Sequence, residues 1–147
     1  MSTYPSLSTQ VIGQAEKTLN AILDRQLAGT GLTESQWVTL TLTAASGGTV
    51  DRDQLIGRVA GALKVSEAEA QARITELAAG QLLQAPDGEG AAVKLTDAGQ
   101  QLHGQIRSAV TQITQRLWGD LPADDLATAG RVLTIVTARA NAELAGT

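Results

Sequence analysis

Residues 47–96 read GGTVDRDQLIGRVAGALKVSEAEAQARITELAAGQLLQAPDGEGAAVKLT, and the order of signals in this stretch decides the fold. Asp51-Arg52-Asp53-Gln54 has the pattern of a capping box, a side-chain oxygen accepting from the first turn while the residue three places on reaches back. The helix it opens, over residues 52–63, turns Leu55, Val59, Ala60 and Leu63 inward at helical spacing. A turn of about three residues leads to another capping pattern, Ser66-Glu67-Ala68-Glu69, and to a helix over residues 67–79 with Ala70, Ile74, Leu77 and Ala78 inward. Two short helices joined so tightly make a helix-turn-helix. Residues 82–85 then suit a strand, Pro86-Asp87-Gly88-Glu89-Gly90 is a dense turn signal, and residues 92–95 suit the returning strand. A β-hairpin directly after the second helix of such a pair is the wing of a winged helix. Thr49 and Val50 leave room for a very short strand before the pair.

Long helices flank this unit. Toward the N-terminus, Leu7, Val11, Ala15, Leu19, Ile22, Leu23 and Leu27 recur at helical spacing until Gly29 and Gly31 stop the pattern. Thr33-Glu34-Ser35-Gln36 is a capping box opening a helix over residues 34–45, with Trp37, Leu40, Thr41 and Ala44 near one face, and Ser46-Gly47-Gly48 breaks it. Toward the C-terminus, Thr96 caps a helix over residues 97–118 whose stripe is Leu102, Ile106, Ala109, Val110, Ile113 and Leu117. Gly119-Asp120-Leu121-Pro122 ends it, and Pro122 suits the first turn of a last helix over residues 123–144, with Leu126, Ala129, Leu133, Val136, Ala140 and Leu144. The expected class is mainly α: a winged helix-turn-helix with a small β-hairpin wing, flanked by long helices.

Composition narrows the function classes. The 147 residues fit one domain, and 43% are apolar, a globular composition. Aromatics are 2%, namely Tyr4, Trp37 and Trp118, so the core must be built from Leu, Ile, Val and Ala. With no cysteine there is no disulfide, thiolate metal site or cysteine nucleophile, and a single histidine, His103, excludes a His-rich zinc site. Asp51/Asp53 and Asp124/Asp125 stand at helix starts, where carboxylates favour the helix dipole. Ser46-Gly47-Gly48 lacks the Lys of a phosphate-cradling loop. The expectation is a non-enzyme without metal or cofactor. The first ten residues carry no basic residue and no apolar core of a leader, and no apolar run approaches the roughly 18 residues of a membrane span. A soluble cytoplasmic protein with no membrane partner is expected.

The order long helix, helix, helix-turn-helix, wing, long helix, final helix resembles the MarR family of bacterial transcription regulators. The residues that carry the resemblance are Leu32-Thr33-Glu34-Ser35-Gln36-Trp37, Leu82-Leu83 and, most family-like, Val93-Lys94-Leu95-Thr96-Asp97-Ala98-Gly99. It spans residues 7–144. It implies a single domain over 1–147, a winged lobe at 32–96, dimerisation helices at 7–28 and 97–145, and a homodimer reading a pseudo-palindromic operator in double-stranded DNA. It also implies release of that DNA on binding a small, often aromatic or phenolic, effector where the lobe meets the dimer helices. Trp37, His103 and Arg107 are the effector candidates by that resemblance, against core packing for Trp37 and ordinary surface or half-buried roles for the other two. Independently, the long apolar stripes exceed what the compact lobe can cover, and a two-fold dimer is the commonest solution.

The charge of the lobe sits uneasily with that function. The whole chain carries −4, and residues 48–96 hold five basic residues, Arg52, Arg58, Lys64, Arg73 and Lys94, against seven acidic ones. Nucleic-acid affinity rests largely on cations near phosphates. On the helix over 67–79, a turn of 100° per residue places Ala68, Glu69, Ala72, Thr75 and Glu76 outward, with Gln71 and Arg73 on the flanks. The DNA-contact candidates are therefore Arg52, Arg58, Lys64, Ser66, Glu69, Gln71, Ala72, Arg73, Thr75 and Lys94. Glu69 also suits a plain capping role, and Arg73 a pair with Glu69 or Glu76. The wing tip, Asp87-Gly88-Glu89-Gly90-Ala91, has no Arg to enter a minor groove. The alternative function is a winged-helix dimer that has lost strong DNA binding and serves as a ligand-binding or protein-interaction module.

Overall fold

The computed structural model describes residues 4–86 and 90–146, so the expected wing tip at Asp87, Gly88 and Glu89 lies outside the described residues. Within them the order is α1 (Thr9–Leu27), α2 (Glu34–Ala45), β1 (Thr49–Asp51), α3 (Arg52–Leu63), α4 (Glu67–Ala79), β2 (Leu83–Gln84), β3 (Ala92–Leu95), α5 (Asp97–Trp118) and α6 (Ala123–Ala145). The fold is a mainly helical winged helix. By contact the chain divides into two compact units, residues 1–110 and 111–147, the division falling within α5.

Caps set most of the boundaries. Ser8 accepts from Val11 N at 3.1 Å, which starts α1 two residues later than its apolar pattern does. Thr33 and Gln36 form the full reciprocal box at the head of α2. Asp51 accepts from Gln54 N, and Ser66 from Glu69 N, each at 3.1 Å. Thr96 accepts from Gly99 N at 2.9 Å while its hydroxyl reaches the carbonyls of Gln81 and Leu82, so one side chain starts α5 and ties it to the segment before the wing. Gly99 has to be glycine there: a Cβ would lie 2.2 Å from the Leu82 carbonyl oxygen. Between α3 and α4, Lys64 takes the left-handed conformation (φ 58°), which makes the tight turn.

The three strands form an antiparallel sheet in the order β1-β3-β2, with Val50 opposite Val93 and Leu83 opposite Leu95. The expected strand over 82–85 is shorter, Leu83–Gln84, because Leu82 gives its backbone to α5's cap: its carbonyl accepts from Thr96 N. The main core lies wholly in residues 40–93: Leu40, Val50, Leu55, Ile56, Val59, Ala70, Ile74, Leu77, Leu83 and Val93.

One expected face is corrected and another is extended. α2 buries Thr39, Leu40 and Thr43, whereas Trp37, Thr41 and Ala44 are half-buried. Threonines can enter the core because each hydroxyl donates to the carbonyl four residues back, Thr39 to Ser35 and Thr43 to Thr39, both at 2.9 Å. On α3 the expected inward residues all meet the core, Leu55 and Val59 buried in it and Ala60 and Leu63 packed against it, and Ile56 and Arg52 are buried as well.

In the second unit, α6 begins after Pro122 and has no buried residue. Leu126 and Val132 are half-buried, while Leu133, Ile135 and Val136 stay between 39% and 41% exposed.

Candidate nucleic-acid interface and ligand pocket

The reading side of the first unit is built on α4. Capping by Ser66 fixes its first turn, and Ala70, Ile74 and Leu77 anchor its inner face. That leaves Ala68, Glu69, Gln71, Thr75 and Glu76 exposed, with Ala72 and Arg73 half-buried. The reciprocal half of the Ser66–Glu69 box is not formed: among the described residues the Glu69 carboxylate takes no hydrogen bond or ion pair, and the Gln71 amide none either. The Thr75 hydroxyl donates back to Gln71 O at 3.0 Å.

Arg73 pairs with Glu76 at two points, Nε to Oε1 at 2.8 Å and Nη2 to Oε2 at 2.9 Å. Gln36, from the first turn of α2, donates to the same Oε1 at 2.9 Å. These contacts hold the Glu76 carboxyl below the usual carboxylate range, the Gln36 amide contributing most and the Arg73 guanidinium next.

The other cations are dispersed. Arg52 is buried, its Nη1 donating to the carbonyls of Ala85 and Pro86 at 3.2 and 3.3 Å, so its side chain clasps the hairpin to the start of α3. Arg58, exposed on α3, donates to the Ser46 hydroxyl at 2.8 Å and borders an open hollow of about 570 Å3 with Thr49, Asp51 and Gln54. Lys64 is exposed at the helix-turn-helix turn, and Lys94 is exposed on β3 between Thr49 and Gln84 of the neighbouring strands.

Of the three effector candidates, His103 and Arg107 line one concavity and Trp37 packs behind His103. The rings of Trp37 and His103 stack with centroids 5.0 Å apart and planes 22° from parallel, joining α2 to α5. His103 is only 8% exposed, and its Nε2 is buried without a hydrogen-bond partner among the described residues. Burial pushes its pKa down, and the nearby Arg107 charge adds to that, so the neutral ring is favoured. Arg107, one turn on, is exposed. Both line an open concavity of about 610 Å3 with Gly48, Leu95, Gln100 and Gly104, within the size range of small-molecule sites. The hydroxyl of Thr41, one turn after Trp37, is also buried without a hydrogen-bond partner among the described residues, as is Arg73 Nε, and Thr41 is not among the site residues expected from the sequence. Its spacing of four from Trp37 was the available signal. Gln36 was likewise legible only as a cap; its link to Glu76 spans 40 residues and has no local signature.

Among the described residues there is no metal-binding group of His, Asp or Glu, and no helix is long and apolar enough to cross a membrane.

No protein-family model and no curated protein matches this sequence. Solved structures do. AbsC, a MarR family transcriptional regulator from Streptomyces coelicolor, superposes with a TM-score of 0.75 at 18% identity over 95% of this chain and 99% of that one. NadR in complex with 4-hydroxyphenylacetate gives 0.72 at 20% identity, over 93% and 98%. Bordetella bronchiseptica BpsR, whose DNA binding is regulated by 6-hydroxynicotinic acid, gives 0.69 at 21%, again over 93% and 98%. Sequence identity is low and coverage nearly complete, so what is common to them is the architecture: this chain has the fold of the MarR-family regulators.

Proposed function

We propose that the protein is a homodimeric, sequence-specific DNA-binding transcription regulator that responds to a small aromatic acid. The observation that carries this reading is the winged lobe, in which α4 is anchored by Ile74 and Leu77 and keeps Ala68, Glu69, Gln71, Thr75 and Glu76 exposed. The lobe over residues 32–96 then meets DNA, and residues 7–28 and 97–145 form the dimer. The unburied stripe of α6 supports that division, since a second copy related by a two-fold axis buries such a stripe against itself. A pseudo-palindromic operator with half-sites about 34 Å apart follows from that symmetry. Such a regulator works in the cytoplasm, alongside the DNA it controls.

The effector follows from the pocket. The concavity is lined by His103, whose ring is backed by the stacked Trp37, and by Arg107, a cation for a carboxylate. The relatives bound to or regulated by 4-hydroxyphenylacetate and 6-hydroxynicotinic acid support the same class of molecule.

A second reading is favoured by the charges. Arg52 is committed to the hairpin and Arg73 to Glu76, in a lobe with more acidic than basic residues. A dimer of this kind that grips DNA poorly would serve as a ligand-binding or protein-interaction module.

Capture of genomic fragments by the purified protein, followed by gel shifts across a salt series, separates the two. The regulator reading requires a few fragments retained specifically, with a shallow salt slope of roughly −0.9 per phosphate contact. Uniform failure to retain any fragment at low salt selects the module.

A further inference from the structure

α4 contains one cation, Arg73, and its guanidinium is occupied. Its Nη2 donates to Glu76 Oε2 and its Nε lies in ion-pair contact with Oε1, so the Nε–Nη2 edge that arginine can present to O6 and N7 of guanine is turned to Glu76. The pair is held from a second helix as well. Gln36 donates to Glu76 Oε1, and Gln36 is itself fixed by accepting from Thr33 N at 3.0 Å. Moving Arg73 toward a base would leave the Glu76 carboxylate without its countercharge, held by the Gln36 amide alone.

The remaining outer groups form a short inventory. Thr75 has turned its hydroxyl to its own helix, and the Ser66 oxygen caps Glu69 N. Ala68 and Ala72 offer methyl groups. Beyond the first residue Glu67, whose exposed carboxylate also has no partner and stands at the helix start, Glu69 and Gln71 carry the exposed polar ends without partners among the described residues. A carboxylate accepts and cannot donate. In the major groove, the atoms that donate to it are the exocyclic amino groups, cytosine N4 above all, while guanine O6 and N7 repel it. A glutamine amide both accepts and donates, which matches N6 and N7 of adenine.

We infer that α4 reads exocyclic amino groups, Glu69 accepting from cytosine N4 and Gln71 pairing with adenine, because the Gln36–Glu76 clamp withholds the helix's arginine from guanine. The assignment rests on the DNA-binding reading above, and it predicts base content that the fold alone does not. It also makes Glu76 a specificity residue that acts through Arg73 and touches no base itself.

Selection of bound duplexes from a random pool, with the full-length protein and its variants, tests it. Wild type enriches sites with a fixed cytosine, and replacing that cytosine by thymine weakens binding about tenfold. Glu69→Gln, which adds a donor at the same size, shifts the preference at that position from cytosine to adenine. Glu76→Gln releases Arg73, so binding tightens, the salt slope steepens by about one contact and a guanine preference appears. Glu69 and Glu76 are both exposed, and unchanged melting temperatures of their variants show that the fold is intact. If Glu69→Gln leaves every preference in place, or if Arg73→Gln erases a guanine preference that wild type already has, the assignment is overturned while DNA binding stands. If wild type enriches no site at all, the DNA-binding reading itself fails and the assignment falls with it.

Discussion

Within the winged lobe, Leu40, Leu55, Val59, Ile74 and Val93 are wholly shielded from solvent; on α6, Leu133, Ile135 and Val136 keep about two-fifths of their surface exposed and Leu144 two-thirds. The two regions draw on the same residue types. What differs is closure. In the lobe, α2, α3, α4 and three strands surround one set of side chains, and Arg52 and Thr96 tie the hairpin segments to the helices around them. α6 is a single helix with a stripe and no buried residue. Apolar surface left in water forgoes about 25 cal/mol per Å2. A stripe this long therefore points to a covering surface outside the chain, which the proposed dimer supplies.

The largest expected effect lies on the open side of this comparison. Leu133→Asp with Val136→Asp places two carboxylates in the proposed interface, each costing about 3–5 kcal/mol if buried without a partner. Sedimentation should report one 15.2 kDa chain for the variant and twice that mass for the wild type. The lobe, closed on itself, should keep its circular dichroism. Equal masses for the two proteins would break the comparison, because the exposed stripe would then need no second copy.

A smaller effect is expected on the closed side. Gly99→Ala drives a methyl group into the Leu82 carbonyl and the Leu95 side chain, at 2.2 and 2.9 Å from where it would sit. The backbone must move, at a cost of about 1–3 kcal/mol. Urea unfolding should show a lower midpoint, and association should be unaffected at concentrations where both proteins stay folded. A midpoint like that of wild type would mean that α5 can shift off Leu82 without cost.

Sequence reading reached the lobe more fully than it reached the sites. The ends of α2, α3, α4 and α5 follow from short-range chemistry, with Thr33, Asp51, Ser66 and Thr96 each accepting from a backbone N–H three residues on. Where the reading failed, the cause was a polar group satisfied in a way that spacing does not reveal. Arg52 looks like a surface cation until its carbonyl partners 33 and 34 residues away are known. Thr39 and Thr43 look like solvent-facing positions until their hydroxyls are seen to return to the helix backbone. Trp37 and His103 were singled out, but their stacking depends on how α2 and α5 pack, and nothing within a window of either residue encodes it. The Arg73–Glu76 pair lay within reach of helical spacing, whereas the Gln36 contact that holds it did not.

His103 provides the smallest of the expected effects and a probe of the boundary between the two regimes, since it is buried yet borders an open concavity. Its folded-state pKa is depressed by burial first and by Arg107 second. Above the unfolded value of about 6.5 the ring is neutral in both states and titration leaves stability unchanged. As pH falls below that value the unfolded chain takes up a proton that the folded ring resists, so stability drops until the folded pKa is passed. Melting temperatures at fixed protein concentration should therefore fall between neutral pH and the folded pKa more steeply for wild type than for His103→Gln, which lacks the titrating ring. An aromatic acid seated against Arg107 should reduce the difference, because its carboxylate offsets the charge that disfavours the imidazolium. Parallel pH profiles for the two proteins would show that the ring is hydrated and protonated as freely in the folded chain as in the unfolded one, and the Trp37–His103 platform would then be open to water on the pocket side.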